Sequence, residues 1–85
     1  MKYEIRSIEA WREPDGGWYW NNSYVIGSLV FEEPTTRRIL RVFREEGYLS
    51  EESKGRATVW TDGEMFEIQD RRTGEPVFAL LPVDK

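Results

Sequence analysis

The chain is expected to fold as a single α+β domain over residues 1–85, a five-stranded antiparallel sheet in the order ββαβββ with one helix packed on one face. Three observations point there. Alternating apolar segments flank turn-forming Gly and Pro residues at both ends of the chain, and one central stretch spaces its apolar residues as a helix does. At 85 residues the chain is also too short to divide into two pieces that each bury a core.

The first strand is read from Lys2 to Trp11. Tyr3 and Ile5 share one parity and Ile8 and Ala10 the other, so a bulge is expected near Ser7. Glu13-Pro14-Asp15-Gly16-Gly17 supplies a turn, since Pro fixes φ and glycine accepts positive φ. The second strand starts at Trp18, with Trp18, Trp20, Tyr24 and Ile26 on one parity and Tyr19 and Val25 on the other, and ends or bends at Gly27. Leu29, Val30 and Phe31 then read as an apolar connector.

Thr35 or Thr36 can cap a helix expected from Thr36 to Glu46. Ile39, Leu40 and Phe43 form its apolar stripe, Arg37, Arg41 and Arg44 lie on another, and Gly47 suits the left-handed stop. Residues Ser50 to Gly55 read as a mobile polar loop. A hairpin follows, Arg56 to Thr61 and Glu64 to Gln69, joined by a two-residue Asp62-Gly63 turn. After a turn at Asp70-Arg71-Arg72-Thr73-Gly74, Val77 to Leu81 is apolar on both parities, which places it inside the sheet, with Pro76 and Pro82 bracketing it. One helix cannot cover both faces of such a sheet, so the opposite face is expected to be wet or occupied by a partner.

Composition excludes much chemistry. Cys and His are both absent, which removes disulfides, thiolate nucleophiles, Cys/His zinc sites and imidazole bases. No phosphate-cradling or nucleophile-elbow glycine pattern occurs. Pro14-Asp15 with Glu52-Ser53-Lys54 spells the letters of a Mg²⁺-dependent nuclease motif, but that chemistry needs its carboxylates and Lys on adjacent strands, whereas these fall in a turn and a loop. No enzyme activity, cofactor or metal is expected. The absence of a long apolar stretch points to a cytoplasmic protein without a membrane span. A formal charge of −4 disfavours nucleic acid, whose binding rests on neutralising phosphates.

Two groups of residues are candidates for a binding role. Trp11, Trp18, Tyr19 and Trp20 concentrate aromatic area beside Asn21 and Asn22. Trp18, Trp20 and Tyr24 either complete a core that has only sixteen Ile, Leu and Val residues, or one parity turns outward as interface anchors do. Arg37, Arg41 and Arg44 either form a solvated face paired locally with Glu45 and Glu46, or contact an acidic partner or phosphates.

At SIEAWREPDGGWYWNNSYVIG and FEIQDRRTGEPVFALLP the sequence resembles small accessory proteins encoded by phages and conjugative elements of gut Firmicutes, a likeness spanning nearly the whole chain. The resemblance implies a mobile-element accessory protein, and some proteins of that class inhibit host defence, including CRISPR effector nucleases. It assigns no residue a role. The expected function is therefore a non-enzymatic protein-binding module, an anti-defence inhibitor such as an anti-CRISPR, with a protein as its partner. Self-association to a homodimer is an alternative fate for the aromatic surface. The alternative function is a nucleic-acid-associated accessory factor using the arginine-bearing helix.

Overall fold

The computed structural model describes residues 1–49 and 56–83, which form β1 (Lys2–Arg12), β2 (Trp18–Val30), α1 (Thr36–Glu45), β3 (Ala57–Thr61), β4 (Phe66–Asp70) and β5 (Pro76–Pro82). The fold class is α+β, an antiparallel sheet with a helix against it. The strands lie in the spatial order β2-β1-β5-β4-β3. The apolar β5 thus sits at the centre, between β1 and β4, and both Pro76 and Pro82 belong to the strand as its terminal residues.

Alternation along β1 turns Tyr3 and Ile5 to the helix side and Glu4, Arg6 and Ile8 to the other. Across the sheet, Ile5 faces Leu80, Leu80 faces Phe66, and Ile68 faces both Phe78 and Val59. From the helix, Ile39 and Phe43 insert into this layer and reach no solvent at all. Together with Tyr3, Ile5, Phe31, Ala57, Ile68 and Leu80 they form the buried cluster. Phe43 packs edge-on against Phe78, with ring centres 5.5 Å apart.

Local chemistry fixes both ends of α1. Thr35 is the N-cap, its hydroxyl accepting from the Arg38 amide at 3.3 Å. At the other end the Tyr48 amide donates to Phe43 O and the Gly47 amide to Arg44 O, while Gly47 takes φ +83°. This is the paired C-terminal motif in which glycine avoids a Cβ clash, and the accompanying apolar contact is Tyr48 on Phe43. The helix closes at Glu45, with Glu46 as its cap, one residue earlier than expected.

Several expectations about the strands are corrected. The change of parity in β1 is not a bulge in that strand: Ile8 is buried on the face opposite Tyr3 and Ile5. The register shifts fall between Ile5/Arg6 and Glu9/Ala10, and the unpaired extra residues, Ile26 and Asn21, belong to β2. Nor does β2 end at Gly27. Pairing with Lys2–Ile5 carries it through Val30, so Leu29 and Val30 are strand and not connector. The β3–β4 turn spans Asp62–Met65 instead of two residues, because Asp62 Oδ1 accepts from both the Glu64 and Met65 amides and draws them into the loop. The Ser50–Gly55 loop expectation lies outside the described residues.

Part of the opposite sheet face is covered in a way the sequence did not suggest. Trp20 Nε1 donates to Glu67 Oε2 at 3.1 Å, and Trp18 Nε1 to Thr73 O at 3.0 Å. Yet β1 and β5 separate β2 from β4, about 14 Å at roughly 4.8 Å per strand step. The outer half of the β1–β2 hairpin must therefore curl over that face, as the two bulges in β2 permit.

Candidate functional site

The curled hairpin sorts the four predicted aromatics onto two sides. Trp11 pairs with Tyr19 across the β1–β2 ladder, on the same parity of β1 as Tyr3 and Ile5. Trp18 and Trp20 oppose Arg12 and Ala10 and turn the other way, onto the sheet. The bulges also separate Tyr24 from the two tryptophans with which simple alternation grouped it: Tyr24 opposes Ser7, on the helix-side parity. None of Trp11, Trp18, Tyr19, Trp20 or Tyr24 belongs to the buried cluster. The core reading for Trp18, Trp20 and Tyr24 is thereby corrected: Ile, Leu, Phe and Tyr3 close the core without them.

Each aromatic at this end has its polar atom engaged within the chain. Trp11 Nε1 donates to Glu13 Oε1 at 2.7 Å, and Tyr19 OH to Asp15 Oδ2 at 2.8 Å. Trp18 and Trp20 are tied to the body as described above, and the Arg12 guanidinium lies 5.2 Å from the Trp18 ring centre. The Trp11 and Tyr19 rings lie side by side, centres 6.5 Å apart, and stay 41% and 43% exposed. What they offer outward is apolar ring area already held in place, the arrangement that costs least side-chain entropy on binding.

The turn beneath them is built by Asp15. Its carboxylate accepts from the Gly17 amide at 2.8 Å and from Tyr19 OH, and those bonds hold it below the usual aspartate range. The same hydrogen bond, with the nearby carboxylate charge, pushes the Tyr19 phenol above its ordinary value. Asn21 is exposed beside this group. The Asn22 side chain lies outside the described residues.

Arg37 and Arg41 are exposed on α1 and Arg44 is half-buried. The local pairing expected with Glu45 and Glu46 is corrected: among the described residues, the ion pairs are Arg38 with Glu33 at 4.0 Å and Arg6 with Glu4 at 3.0 Å. Arg38 lies on the flank of the helix that faces Glu33. Arg38 and Arg41 line a groove of about 410 Å³ with Val30, Phe31, Glu32, Glu33, Val42 and Glu45. Among the described residues no hydrogen bond or ion pair joins the arginines to the aromatic hairpin end, so the two groups stand as separate surfaces.

Sequence reasoning missed Trp60, nearly half exposed on β3, and the row Val25, Ile26 and Val30 along β2. Trp60 was legible, since Ala57 and Val59 on the opposite parity take the core side. Of the nuclease-like letters, Asp15 is committed to its turn, and Glu52, Ser53 and Lys54 lie outside the described residues. Among the described residues no cluster of acidic side chains could hold a metal ion, and no helix is long and apolar enough to cross a membrane.

Comparison with protein-family models, with curated proteins and with solved structures gives no match.

Proposed function

We propose that this chain is a non-enzymatic protein-binding module whose anchor is the Trp11–Tyr19 pair on the hairpin end. The observation that carries the proposal is the exclusion of this pair from a core already complete without it, together with the hydrogen bonds that fix both rings while leaving their faces exposed. Large rigid aromatics with satisfied polar atoms are the residues on which interface energy concentrates. Trp18 and Trp20 serve the same surface indirectly, by pinning the curled hairpin to β4 and to the Thr73 turn. The partner class comes from the resemblance alone: a host defence protein, the chain acting as a mobile-element inhibitor of the anti-CRISPR kind.

A second function, a nucleic-acid-associated accessory factor, has in its favour that Arg37 and Arg41 are exposed and without ion-pair partners among the described residues. The net charge of −4 opposes it. Two parallel measurements separate the two. A tagged chain is used to capture a partner from its host, alongside the Trp11→Ala/Tyr19→Ala and Arg37→Ala/Arg41→Ala/Arg44→Ala variants, and retention on heparin is followed against salt. The protein-binding function requires that the aromatic variant lose the partner and the arginine variant keep it. Strong heparin retention lost between low and moderate salt, and abolished in the arginine variant, would establish the second function instead.

A further inference from the structure

The two edges of the sheet differ in how they are protected. β3 is a short edge of five residues, whereas β2 is an edge of thirteen. An unpaired edge presents a row of free main-chain donors and acceptors, which proteins usually blunt with charge, proline, brevity or bulges. In a chain whose residues are one-third charged, no Asp, Glu, Lys or Arg occurs from Gly16 through Phe31, and no Pro either. That interval contains all of β2. The two bulges, at Asn21 and Ile26, are the blunting the strand carries. Uncharged along its whole length, it carries solvent-exposed apolar side chains on both parities, Tyr24 at 60%, Val25 at 51% and Val30 at 71%, beside the polar but neutral Asn21, Asn22, Ser23 and Ser28.

Acids close the interval at both ends, Glu13 and Asp15 before it and Glu32 and Glu33 after it. All four are exposed. This charge pattern selects among occupants. Two copies of the chain paired antiparallel and flush along the interval would set Asp15 opposite Glu32 at both ends, between molecules that each carry −4. An apolar strand with basic flanks meets opposite charge at both ends and none between.

We infer that the outer edge of β2 takes up an extended, apolar segment of a partner protein flanked by Lys or Arg, adding it as a sixth, antiparallel strand. Main-chain hydrogen bonds along the edge supply affinity, Tyr24, Val25 and Val30 supply side-chain contacts above and below, and the terminal acids fix the register. The inference rests on the protein-binding function proposed above and adds the partner's chemistry. It uses main-chain groups along β2, while the Trp11–Tyr19 rings remain a separate anchor on the hairpin end.

The test uses the full chain and a synthetic peptide of about twelve residues, alternating Val and Thr between Lys-Lys ends, which at about 3.4 Å per residue matches the 38 Å of the molecule's longest dimension. Amide hydrogen exchange is measured with this peptide, with the same peptide ending in Glu-Glu, and with a Lys-ended peptide N-methylated at alternate amides. The expected result is exchange slowed at least tenfold along β2 and unchanged on β3 with the first peptide, and no slowing with the other two. Glu32→Gln, at an exposed acid with no hydrogen bond or ion pair among the described residues, should weaken binding of the Lys-ended peptide while the variant keeps its own exchange pattern. No slowing with the Lys-ended peptide, or equal slowing with the Glu-ended one, would overturn the inference. So would protection of β2 in the chain alone that grows with its concentration, which identifies a second copy as the occupant. None of these outcomes touches the aromatic anchor, whose fate is read separately from partner capture by the Trp11→Ala/Tyr19→Ala variant.

Discussion

At Gly27 the chain leaves out a side chain because another ring passes close by. A Cβ built there would stand 2.7 Å from the hydroxyl of Tyr48, which is packed between Phe43 and Phe78. Gly27→Ala should therefore cost about 1–3 kcal/mol through overpacking, measured as a shift in the urea midpoint. Gly47→Ala should cost about 1–2 kcal/mol for a different reason, the positive φ, with no clash to relieve. Three aspartates tie turns in the same manner. Asp15, Asp62 and Asp70 each accept main-chain amides and are each held below the ordinary aspartate value. A lowered folded-state pKa means that the unfolded chain binds more protons, so this stabilisation is present above about pH 3.9 and lost as pH falls through the folded values. Asp62→Asn and Asp70→Asn should flatten the acid limb of the stability profile, as read by circular dichroism. Tyr19 runs in the opposite sense. Its phenol is raised by the bond to Asp15, so its ultraviolet titration should lie above that of a free tyrosine and return toward it in Asp15→Asn. Such turn aspartates were legible as turn residues. Their partners were not, since the Glu64 and Met65 amides join the turn only when one carboxylate oxygen reaches both.

Among the elements, α1 was the most legible, because everything that defines it is local: the cap at Thr35, the Ile39 and Phe43 stripe, the stop at Gly47. Phe43→Ala should cost about 3–5 kcal/mol, since Phe43 is wholly buried, and Thr35→Ala about 1 kcal/mol. Arg41→Ala, on the exposed face, should change stability by no more than about 0.5 kcal/mol. Thermal or urea unfolding of the three variants checks that order, and equal losses for Phe43→Ala and Arg41→Ala would mean the helix faces are wrongly assigned. The strand β2 was far less legible. Its extension to Val30 depends on pairing with residues almost thirty positions earlier, and its two bulges have no signature of their own. A single extra residue reverses which face each later side chain occupies, so alternation counted from Trp18 fails by Tyr24. This is why the sequence left open whether the aromatic cluster was core or surface.

For the molecule as a whole, one helix closes one sheet face and the curled hairpin end covers part of the other, which leaves exposed aromatic area at three places, the Trp11–Tyr19 pair, Tyr24 on β2 and Trp60 on the opposite edge. The number of strand aromatics was plain from the sequence, but their division into a pinning pair, Trp18 and Trp20, and an outward pair, Trp11 and Tyr19, followed from tertiary contacts some fifty residues apart in the chain. Trp18→Phe/Trp20→Phe keeps ring area but removes both indole donors. This variant should leave the core intact and loosen the hairpin end, seen as faster amide exchange in residues 10–21 with little change in β4 and β5. The central claim is that the outward pair anchors a protein partner. Its most direct measurement is isothermal titration of the partner recovered from the host against the wild-type chain and Trp11→Ala/Tyr19→Ala, both first shown to be folded. A hot-spot anchor requires a loss of at least about thirtyfold in affinity, the ~2 kcal/mol or more that marks such a residue. Affinity within about twofold of wild type would contradict it.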